Sequence, residues 1–183
     1  MAKAGDSITS PVIGDRIVFL QTARDTNGAL LQFDDYLQPG GQGPVEHIHP
    51  RQEERLAVLA GTAGILIAGG ERRLSVGEDL VIAPGTPHRW WNGGTDELQL
   101  RTEFRPALDI ERFFETLFGL TRDGKTDSAG IPTFLQIVLL SQAYEIFLPK
   151  PPIPLQRALF AVLAPIAKLR GYRTWYPQYS SEV

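Results

Sequence analysis

The sequence predicts a mainly β chain that continues into a helical C-terminal extension, and two observations lead to this prediction. Between residues 14 and 104, short runs of β-branched, aromatic and leucine residues are separated by Gly, Pro, Asn and Asp turn signals. After Pro106 the apolar spacing changes to that of helices. Short strands at regular spacing are typical of a β-sandwich or barrel. We therefore expect a β-sandwich or barrel at residues 1–106 and an α-helical extension at residues 107–183.

The β region divides into eight predicted strands joined by recognisable turns. Residues 25–28 read Asp-Thr-Asn-Gly and join the first two strands as a hairpin. Gly69 and Gly70 supply the positive φ of a second tight hairpin, and Gly93 and Gly94 separate the last two strands. The predicted strands are residues 16–21, 29–37, 55–60, 63–68, 71–75, 80–83, 88–92 and 97–104.

Three helices are predicted in the extension. The first carries one apolar stripe with spacing i, i+3, i+4, i+7 and i+8, and Asp109 is placed to cap it. The second, residues 131–148, is apolar nearly all round, with Pro132 in its first turn and Pro149 at its end. The third, residues 155–170, contains Pro165 and stops at Gly171. The stripe of the first helix consists of Ile110, Phe113, Phe114, Leu117 and Phe118.

A helix with so little polar surface must be covered, and three coverings are open. The helices pack on the outside of the β domain or on a partner subunit, or they form a lid that adds an apolar pocket. Stable membrane insertion is not expected, because polar residues such as Gln136 and Glu145 interrupt the second helix. Loose contact of the basic tail with an anionic surface stays open. The apolar helices after Pro106 and the aromatic tail at residues 172–176 exceed what one small β domain is expected to bury, which favours a homodimer.

Composition excludes several classes of function. The 183-residue chain has a formal net charge of -3 and no long basic run, so no nucleic-acid interface is expected. It contains no cysteine, which excludes disulfides and thiolate chemistry. Residues 1–20 contain charges and no continuous apolar run, so we expect no signal peptide and a cytoplasmic location.

The three histidines of the chain occur in two short segments that predict a metal site. His47 and His49 are two residues apart, so on an extended segment both imidazoles leave the same face. Glu54 follows after a loop of four residues, and His88 begins another predicted strand. Imidazole and carboxylate together suit one divalent transition metal, Fe, Mn, Ni, Cu or Zn.

These two segments resemble the two motifs of the cupin superfamily. Residues 41–61 fit Gly-x5-His-x-His-x4-Glu-x6-Gly, and residues 77–92 resemble Gly-x5-Pro-x-Gly-x2-His-x3-Asn. The second motif departs at Ala83, where its proline usually stands, and Pro84 follows one place later. The resemblance implies a cupin jelly-roll barrel with metal ligands His47, His49, Glu54 and His88. Glu53 is the competing carboxylate, but only Glu54 has the motif's distance to Gly61.

Strand parity suggests further residues for a substrate pocket. One face of the last strand carries Gln99, Arg101 and Glu103, and the other carries leucines, Thr102 and Phe104. If the polar face points inward, it meets substrate or orients a ligand histidine; an outward, solvated face is the alternative. Trp90 or Trp91 is expected to line the cavity. The full set of pocket candidates is Tyr36, Trp90, Gln99, Arg101 and Glu103.

Two classes of function follow from a metal site of this kind. In the first, the chain is a metal-dependent enzyme, which the resemblance to metal-bearing cupins makes a dioxygenase, or else an isomerase or cyclase. In the second, it is a non-catalytic protein that binds or senses a small molecule. A mostly apolar inventory, including Phe33, Leu56, Val58, Ile65 and Ile67, predicts a small apolar or aromatic ligand carrying oxygen.

Overall fold

The computed structural model describes residues 2–180 and confirms a mainly β chain with a helical C-terminal part. Position 1 and positions 181–183 of the two expected domains lie outside the described residues. The strands alternate buried and less buried positions along much of their length, which is the pattern of sheets that cover a core on one face. They are β1 Ser7–Ser10, β2 Asp15–Gln21, β3 Leu31–Leu37, β4 Glu53–Ala60, β5 Thr62–Ile67, β6 Gly70–Ser75, β7 Asp79–Ile82, β8 His88–Asn92 and β9 Leu98–Arg105.

The strands form two antiparallel sheets. The larger has the order β1-β2-β3-β9-β4-β7 and the smaller the order β6-β5-β8. Within residues 2–180 no ladder joins the edge strands of one sheet to those of the other, so the sheets are not closed into a barrel. The expectation of a β fold with antiparallel sheets is therefore confirmed, whereas hydrogen-bonded closure is not seen.

The helices are α1 Ile110–Arg122, α2 Phe134–Tyr144 and α3 Ile153–Leu169, followed by a 3-10 turn at Pro177–Tyr179. Asp109 occupies the N-cap of α1 but makes no side-chain capping hydrogen bond. The second helix is shorter than predicted at both ends. It stops at Tyr144 because Glu145 adopts a left-handed conformation with φ of 54°. The chain after it leaves the helix to pair with the β region, which no local signal indicates.

The side chains of α1 extend the interior of the large sheet. The ring of Phe114 lies 5.0 Å from that of Phe33 and 6.1 Å from that of Phe104, measured between centroids. Ile110 and Phe118 belong to the same buried cluster. The predicted apolar stripe of α1 therefore packs on the β region. No helix within residues 2–180 has the length and apolar character needed to cross a bilayer.

Candidate metal centre

Backbone pairing brings the two histidine segments together. The amide of His47 donates to the carbonyl of His88 at 2.9 Å, and the amide of His88 donates back at 3.0 Å. Between the two histidines of the first segment, Ile48 exchanges backbone hydrogen bonds of 2.8 and 3.1 Å with Phe147. The segment is therefore held extended from both sides. Because side chains alternate on an extended segment, His47 and His49 point to the same side.

One buried cluster of possible metal ligands occurs among residues 2–180, and it consists of His47, His49, Glu54 and His88. One ligand atom from each residue lies within 4.8 Å of all the others. The two Nε2 atoms of His47 and His49 are 3.0 Å apart, and His88 Nε2 is 2.8 Å from Glu54 Oε2. Two donors bound at right angles about 2.1 Å from one ion would be about 3.0 Å apart. The spacing of these donors therefore fits a single ion.

The tautomers of two histidines also fit a metal. Nδ1 of His47 lies 2.8 Å from the carbonyl oxygen of Val45, and Nδ1 of His88 lies 2.9 Å from that of Thr86. In His47 Nδ1 donates its proton to a carbonyl, which leaves the Nε2 lone pair directed into the cluster. In His88 Nδ1 is held in the same way, and Nε2 donates to Glu54 Oε2, so a metal would replace that proton. Nδ1 of His49 is buried without a hydrogen-bond partner among the described residues.

Electrostatics keeps most of the ligand atoms in the state that binds a metal. Burial, followed by the charge of a neighbouring histidine, lowers the pKa of His47 to about 4 and that of His49 to about 3. Burial opposes ionisation of Glu54, but His88 and the other two histidines outweigh it and lower its pKa to about 2. Burial likewise opposes protonation of His88, yet the charge and hydrogen bond of Glu54 raise its pKa. Neutral imidazoles and an ionised carboxylate are the forms that coordinate metals.

Register decides between the two adjacent glutamates. Glu54 is 2% exposed and pairs with Ile82 and Phe104, which are also buried. Glu53 is less buried and faces the other way, since successive side chains on a strand alternate. Gly85, with φ of +82°, makes the turn before His88 and donates its amide to the carbonyl of His49 at 2.9 Å. The motif glycine thus fixes the two segments relative to each other.

The C-terminal part covers this cluster. Phe147 pairs with the strand that carries the two histidines, and the ring of Phe104 lies 5.2 Å from that of His49. Phe114 of α1 packs on Phe104 in turn. All four residues of the cluster are at most 7% exposed.

The structure does not bring the four polar pocket candidates to the cluster, which corrects the inward-facing alternative. Tyr36 pairs with Gln99 and Asp34 with Arg101, on the face opposite to Glu54 and its inward neighbours. There they form a polar ladder, in which Gln99 donates to the Tyr36 hydroxyl at 3.0 Å and Arg101 donates to Asp34 at 2.8 Å. The fourth, Glu103, accepts from Arg105 at 2.7 Å on the same outer face. These residues lie on the outer face because the opposite, leucine-rich face of β9 covers the core.

Trp90 is the pocket candidate that does face inward. It is 6% exposed and shares the inner face of β8 with His88, in the alternating order of the strand. Trp91 lies on the other face, against Gly64 and beneath Arg89, whose guanidinium carbon is 5.2 Å from the indole. The expectation that one of the two tryptophans lines the interior agrees with this placement.

Sequence reasoning missed three polar residues of the interior. Asp15, Asp35 and Thr102 are buried on the inner face of the large sheet. A signal was present, because Asp35 occupies an inward position of β3 otherwise filled by Leu31, Phe33 and Leu37. Such sites are indicated by a single polar residue on the otherwise apolar face of a strand, and not by a strand face that is polar throughout.

The comparisons with known proteins agree with this combination of fold and site. Residues 35–105 match the family model of the cupin domain. Residues 35–105 of this chain therefore form a cupin domain. The cupin domain contains all four residues of the cluster. A search of curated protein sequences finds no match to the chain.

Similar solved structures are also cupins or named for enzymes. One is an RmlC-like cupin from Shewanella frigidimarina, 20% identical, covering 57% of this chain and 86% of that one with a TM-score of 0.49. Another is a sugar phosphate isomerase of the cupin superfamily from Silicibacter pomeroyi, 15% identical, covering 55% and 70% with a TM-score of 0.48. A third is a predicted oxalate decarboxylase from Thermotoga maritima, 20% identical, covering 58% and 98% with a TM-score of 0.49.

Proposed function

We propose that this cupin binds one divalent transition metal through His47, His49, Glu54 and His88 and uses it to bind and transform a small oxygenated compound. The observation that carries the proposal is the convergence of three imidazole nitrogens and one carboxylate within 4.8 Å in a buried position. Buried groups of this kind are rarely left without a counter-charge. When bound, the metal supplies Lewis acidity or redox chemistry at coordination positions that the protein leaves open.

The reaction that we infer is of the dioxygenase type, on an apolar or aromatic substrate with at least one oxygen that reaches the metal. Its support is the apolar surrounding of the cluster, where Phe104, Leu56 and Ile82 lie beside Glu54 on the inner face. Such walls bind apolar area and exclude water, so each hydroxyl that faces them would be left without a partner at a cost of about 1–3 kcal/mol, which disfavours a ligand with hydroxyls on every side.

A metal-dependent isomerase or cyclase is the second candidate. The observation in its favour is the buried carboxyl of Asp35, because isomerisation requires proton transfer rather than dioxygen. In the alternative without turnover, the same centre serves a binding or sensory protein. Oxygen uptake by the metal-loaded chain during substrate loss identifies a dioxygenase, product of unchanged mass an isomerase, and tight binding with unchanged substrate a sensor.

The first experiment is elemental analysis of the purified chain and of His49→Ala and His88→Ala. We expect about one equivalent of metal per wild-type chain and loss of most of it in both variants, since each variant removes one of four ligands. A redox-active metal supports oxygen chemistry, and zinc supports the Lewis-acid candidate. One full equivalent of metal in either variant would contradict the proposed ligand set.

We further propose that residues 107–183 form an extension that packs on the domain of residues 1–106 and closes its ligand chamber. The support is the contact of Phe147 and Phe114 with the strand and aromatic residues that surround the cluster. This assigns the lid function to α1 and to the segment after α2. The third helix packs on α2 and also supports the segment after it, because Phe160 stacks on Phe147 with ring centroids 6.2 Å apart.

A homodimer through α3 completes the proposal. Five exposed apolar residues on this helix are spaced by four, three, four and three positions, which is the seam of a helix that packs on another helix. They are Leu155, Leu159, Val162, Ile166 and Leu169, between 45% and 89% exposed. A second copy brings an identical seam, and the closed pair hides both.

Light scattering of the full chain at micromolar concentration tests this interface. We expect a dimer for the wild type and a monomer for Val162→Glu, which places a charge in the seam. The matched control is Val76→Glu, on a turn of the β region with similar exposure, 61% against 68%. A wild-type monomer, or a dimer that Val162→Glu leaves intact, would show that α3 is not the interface.

A further inference from the structure

A diagonal of polar residues crosses the inner face of the large sheet and begins at the metal cluster. Glu54 of β4 pairs with Phe104 of β9, and Thr102 lies two residues before Phe104 on the same strand. Thr102 in turn pairs with Phe33 of β3, and Asp35 lies two residues after Phe33. Asp35 pairs with Ile17, two residues from Asp15 on β2. Residues in this relation are diagonal neighbours on one face of a sheet. Asp15 pairs in turn with Ser10 of β1, and we call Ser10, Asp15, Asp35 and Thr102 the polar seam.

The polar seam divides the apolar interior in two. On one side lies a buried cluster that includes Phe19, Phe33 and Phe104, and on the other a cluster that includes Leu37, Leu56 and Leu100. Apolar side chains at the seam positions would join these clusters and remove the cost of burying carboxyl groups. The polar seam therefore lowers the free energy of unfolding, as binding sites often do.

Each seam residue has one oxygen without a hydrogen-bond partner among the described residues. These are Ser10 Oγ, Asp15 Oδ1, Asp35 Oδ1 and Thr102 Oγ1, and all four are buried. Their residues are between 2% and 7% exposed. On the outer face the neighbouring Asp34 accepts two hydrogen bonds from Arg101, at 2.8 and 3.0 Å. Buried polar atoms without partners in the protein are satisfied by water or by a ligand.

The charges around the seam determine which ligand group it accepts. Burial raises the pKa of Asp35 well above its ordinary value, followed by the charge of Asp15 and then that of Glu54. Burial also raises the pKa of Asp15, and a hydrogen bond between the two carboxyls opposes this rise. Carboxyls related in this way share a proton and keep free oxygens that accept hydrogen bonds. A hydroxyl group suits this pair, whereas a carboxylate is repelled.

We propose that the polar seam is a second binding subsite, in which Asp35 accepts a hydrogen bond from a hydroxyl of a ligand whose other end reaches the metal centre. Asp15 holds Asp35, and Thr102 lies between the two polar ends of the ligand. The ligand is therefore an elongated molecule, with oxygen at both ends and an apolar middle that contacts the two apolar clusters. This inference rests on the proposed function for one end of the ligand and on the seam alone for the other.

Calorimetry on the metal-loaded chain tests this with probes of two lengths: benzoate, 4-hydroxybenzoate and terephthalate, and cinnamate with 4-hydroxycinnamate. In the wild type we expect one of the hydroxylated probes to bind about tenfold more tightly than its parent, as for a hydrogen bond to a buried acceptor that otherwise has no partner. Terephthalate, with a second carboxylate, should bind more weakly than benzoate. Equal affinity within both pairs, or tighter binding of terephthalate, would overturn the subsite.

Variants assign the effect to the seam. In Asp35→Leu the advantage of the hydroxyl should fall below about twofold, because the acceptor is gone. Asp34→Asn is the control, since it changes the adjacent carboxylate on the outer face and should keep the tenfold advantage. An unchanged advantage in Asp35→Leu, or its loss in Asp34→Asn, would place the hydroxyl elsewhere.

A metal-free experiment separates this inference from the proposed function. Binding of phenol and toluene to the metal-free chain depends on the seam and not on the metal. We expect phenol to be preferred by the wild type and by Asp34→Asn, and the preference to disappear in Asp35→Leu. If the purified wild type holds no metal but prefers phenol, the proposed metal function is wrong and the proposed subsite is supported. If it holds metal but its metal-free form prefers toluene, only the proposed subsite is wrong.

Discussion

The inner and outer faces of β3, β9 and β4 carry the same residue types in opposite chemical settings. On the outer face Asp34 pairs with Arg101, and Glu103 with Arg105, with solvent close by. On the inner face Glu54 and Asp35 form no ion pair with lysine or arginine within residues 2–180. In the two outer pairs the carboxylates are 8% and 6% exposed, and each has an arginine that is 38% or 45% exposed as its counter-charge, whereas the inner carboxylates require a proton or a metal cation. Neighbouring acids on one strand therefore lie in different chemical environments.

Substitution of the two adjacent glutamates tests this contrast, and its effect on metal affinity is expected to be the largest of those considered. Glu54→Gln should weaken metal affinity by more than about 100-fold, since ligand loss exceeds the 10–100-fold cost of removing an outer partner. Glu53→Gln, on the other face, should change affinity by less than about threefold. Metal titration against a competing chelator measures both variants. The opposite ranking would mean that Glu53 is the ligand.

Phe114 tests whether α1 belongs to the inner face. Phe114→Ala removes contacts with Phe33 and Phe104 and should cost about 3 kcal/mol of unfolding free energy. It should also speed metal removal by a chelator at least about tenfold, because the cover over the cluster is thinned. Phe134→Ala in α2, where the side chain is 60% exposed, is the control and should change neither quantity much. Equal chelation rates in the two variants would refute a lid.

The pH dependence of the metal-free chain reports on the buried histidines. The folded-state pKa values of His47 and His49, about 4 and about 3, lie below the ordinary 6.5, so the unfolded chain binds more protons in between. Stability should therefore fall by a few kcal/mol as pH decreases from 6.5 towards 3. His88 acts in the opposite sense, since its raised pKa gives stability below 6.5 that is lost as pH rises through the folded value.

Urea unfolding across this pH range measures the effect. In His49→Gln the acid slope should be shallower, because one lowered pKa is removed. The slope of Glu53→Gln should match that of the wild type. An unfolding free energy of the wild type that is constant between pH 6.5 and 4 would show that the histidines are not buried neutral.

Asp35 and Asp34 give a smaller effect on stability. Asp35→Leu should stabilise the chain by about 1–2 kcal/mol, since it replaces a buried carboxyl, one oxygen of which has no partner, by an apolar side chain. Asp34→Leu should destabilise it slightly, because Arg101 then loses its partner. Thermal unfolding at neutral pH checks both signs. A strong loss of stability in Asp35→Leu would show that the inner carboxyl has a structural role.

The smallest effect is expected on the outer face itself. Arg101→Gln removes an ion pair whose arginine side chain is 38% exposed, so the change should stay below about 1 kcal/mol. Metal affinity should not change, since the pair lies on the face opposite to Glu54. A loss of metal in Arg101→Gln would restore the sequence-based alternative that this face meets the site.

The strands of the β region were predicted well from the sequence because the signals for strands and turns are local. Alternation, turn glycines and motif spacing need only neighbouring residues, and the eight predicted strands all correspond to observed ones. The short strand β1 was missed, since Ser-Ile-Thr-Ser carries little apolar signal. The end of α2 was missed for another reason. Phe147 leaves the helical pattern because it pairs with Ile48, a contact that joins residues 99 positions apart.

Motif spacing and side-chain parity are properties of the chain itself, so they were enough to predict the β fold of the cupin domain, the four residues of the candidate centre and the choice of Glu54 over Glu53. The face of each strand that points inward became clear only in the folded chain, since parity divides a strand into two faces without saying which one covers the core. This orientation placed Gln99 and Arg101 outside and brought Asp15, Asp35 and Thr102 onto one diagonal. A diagonal across four strands depends on their register, which no single strand encodes.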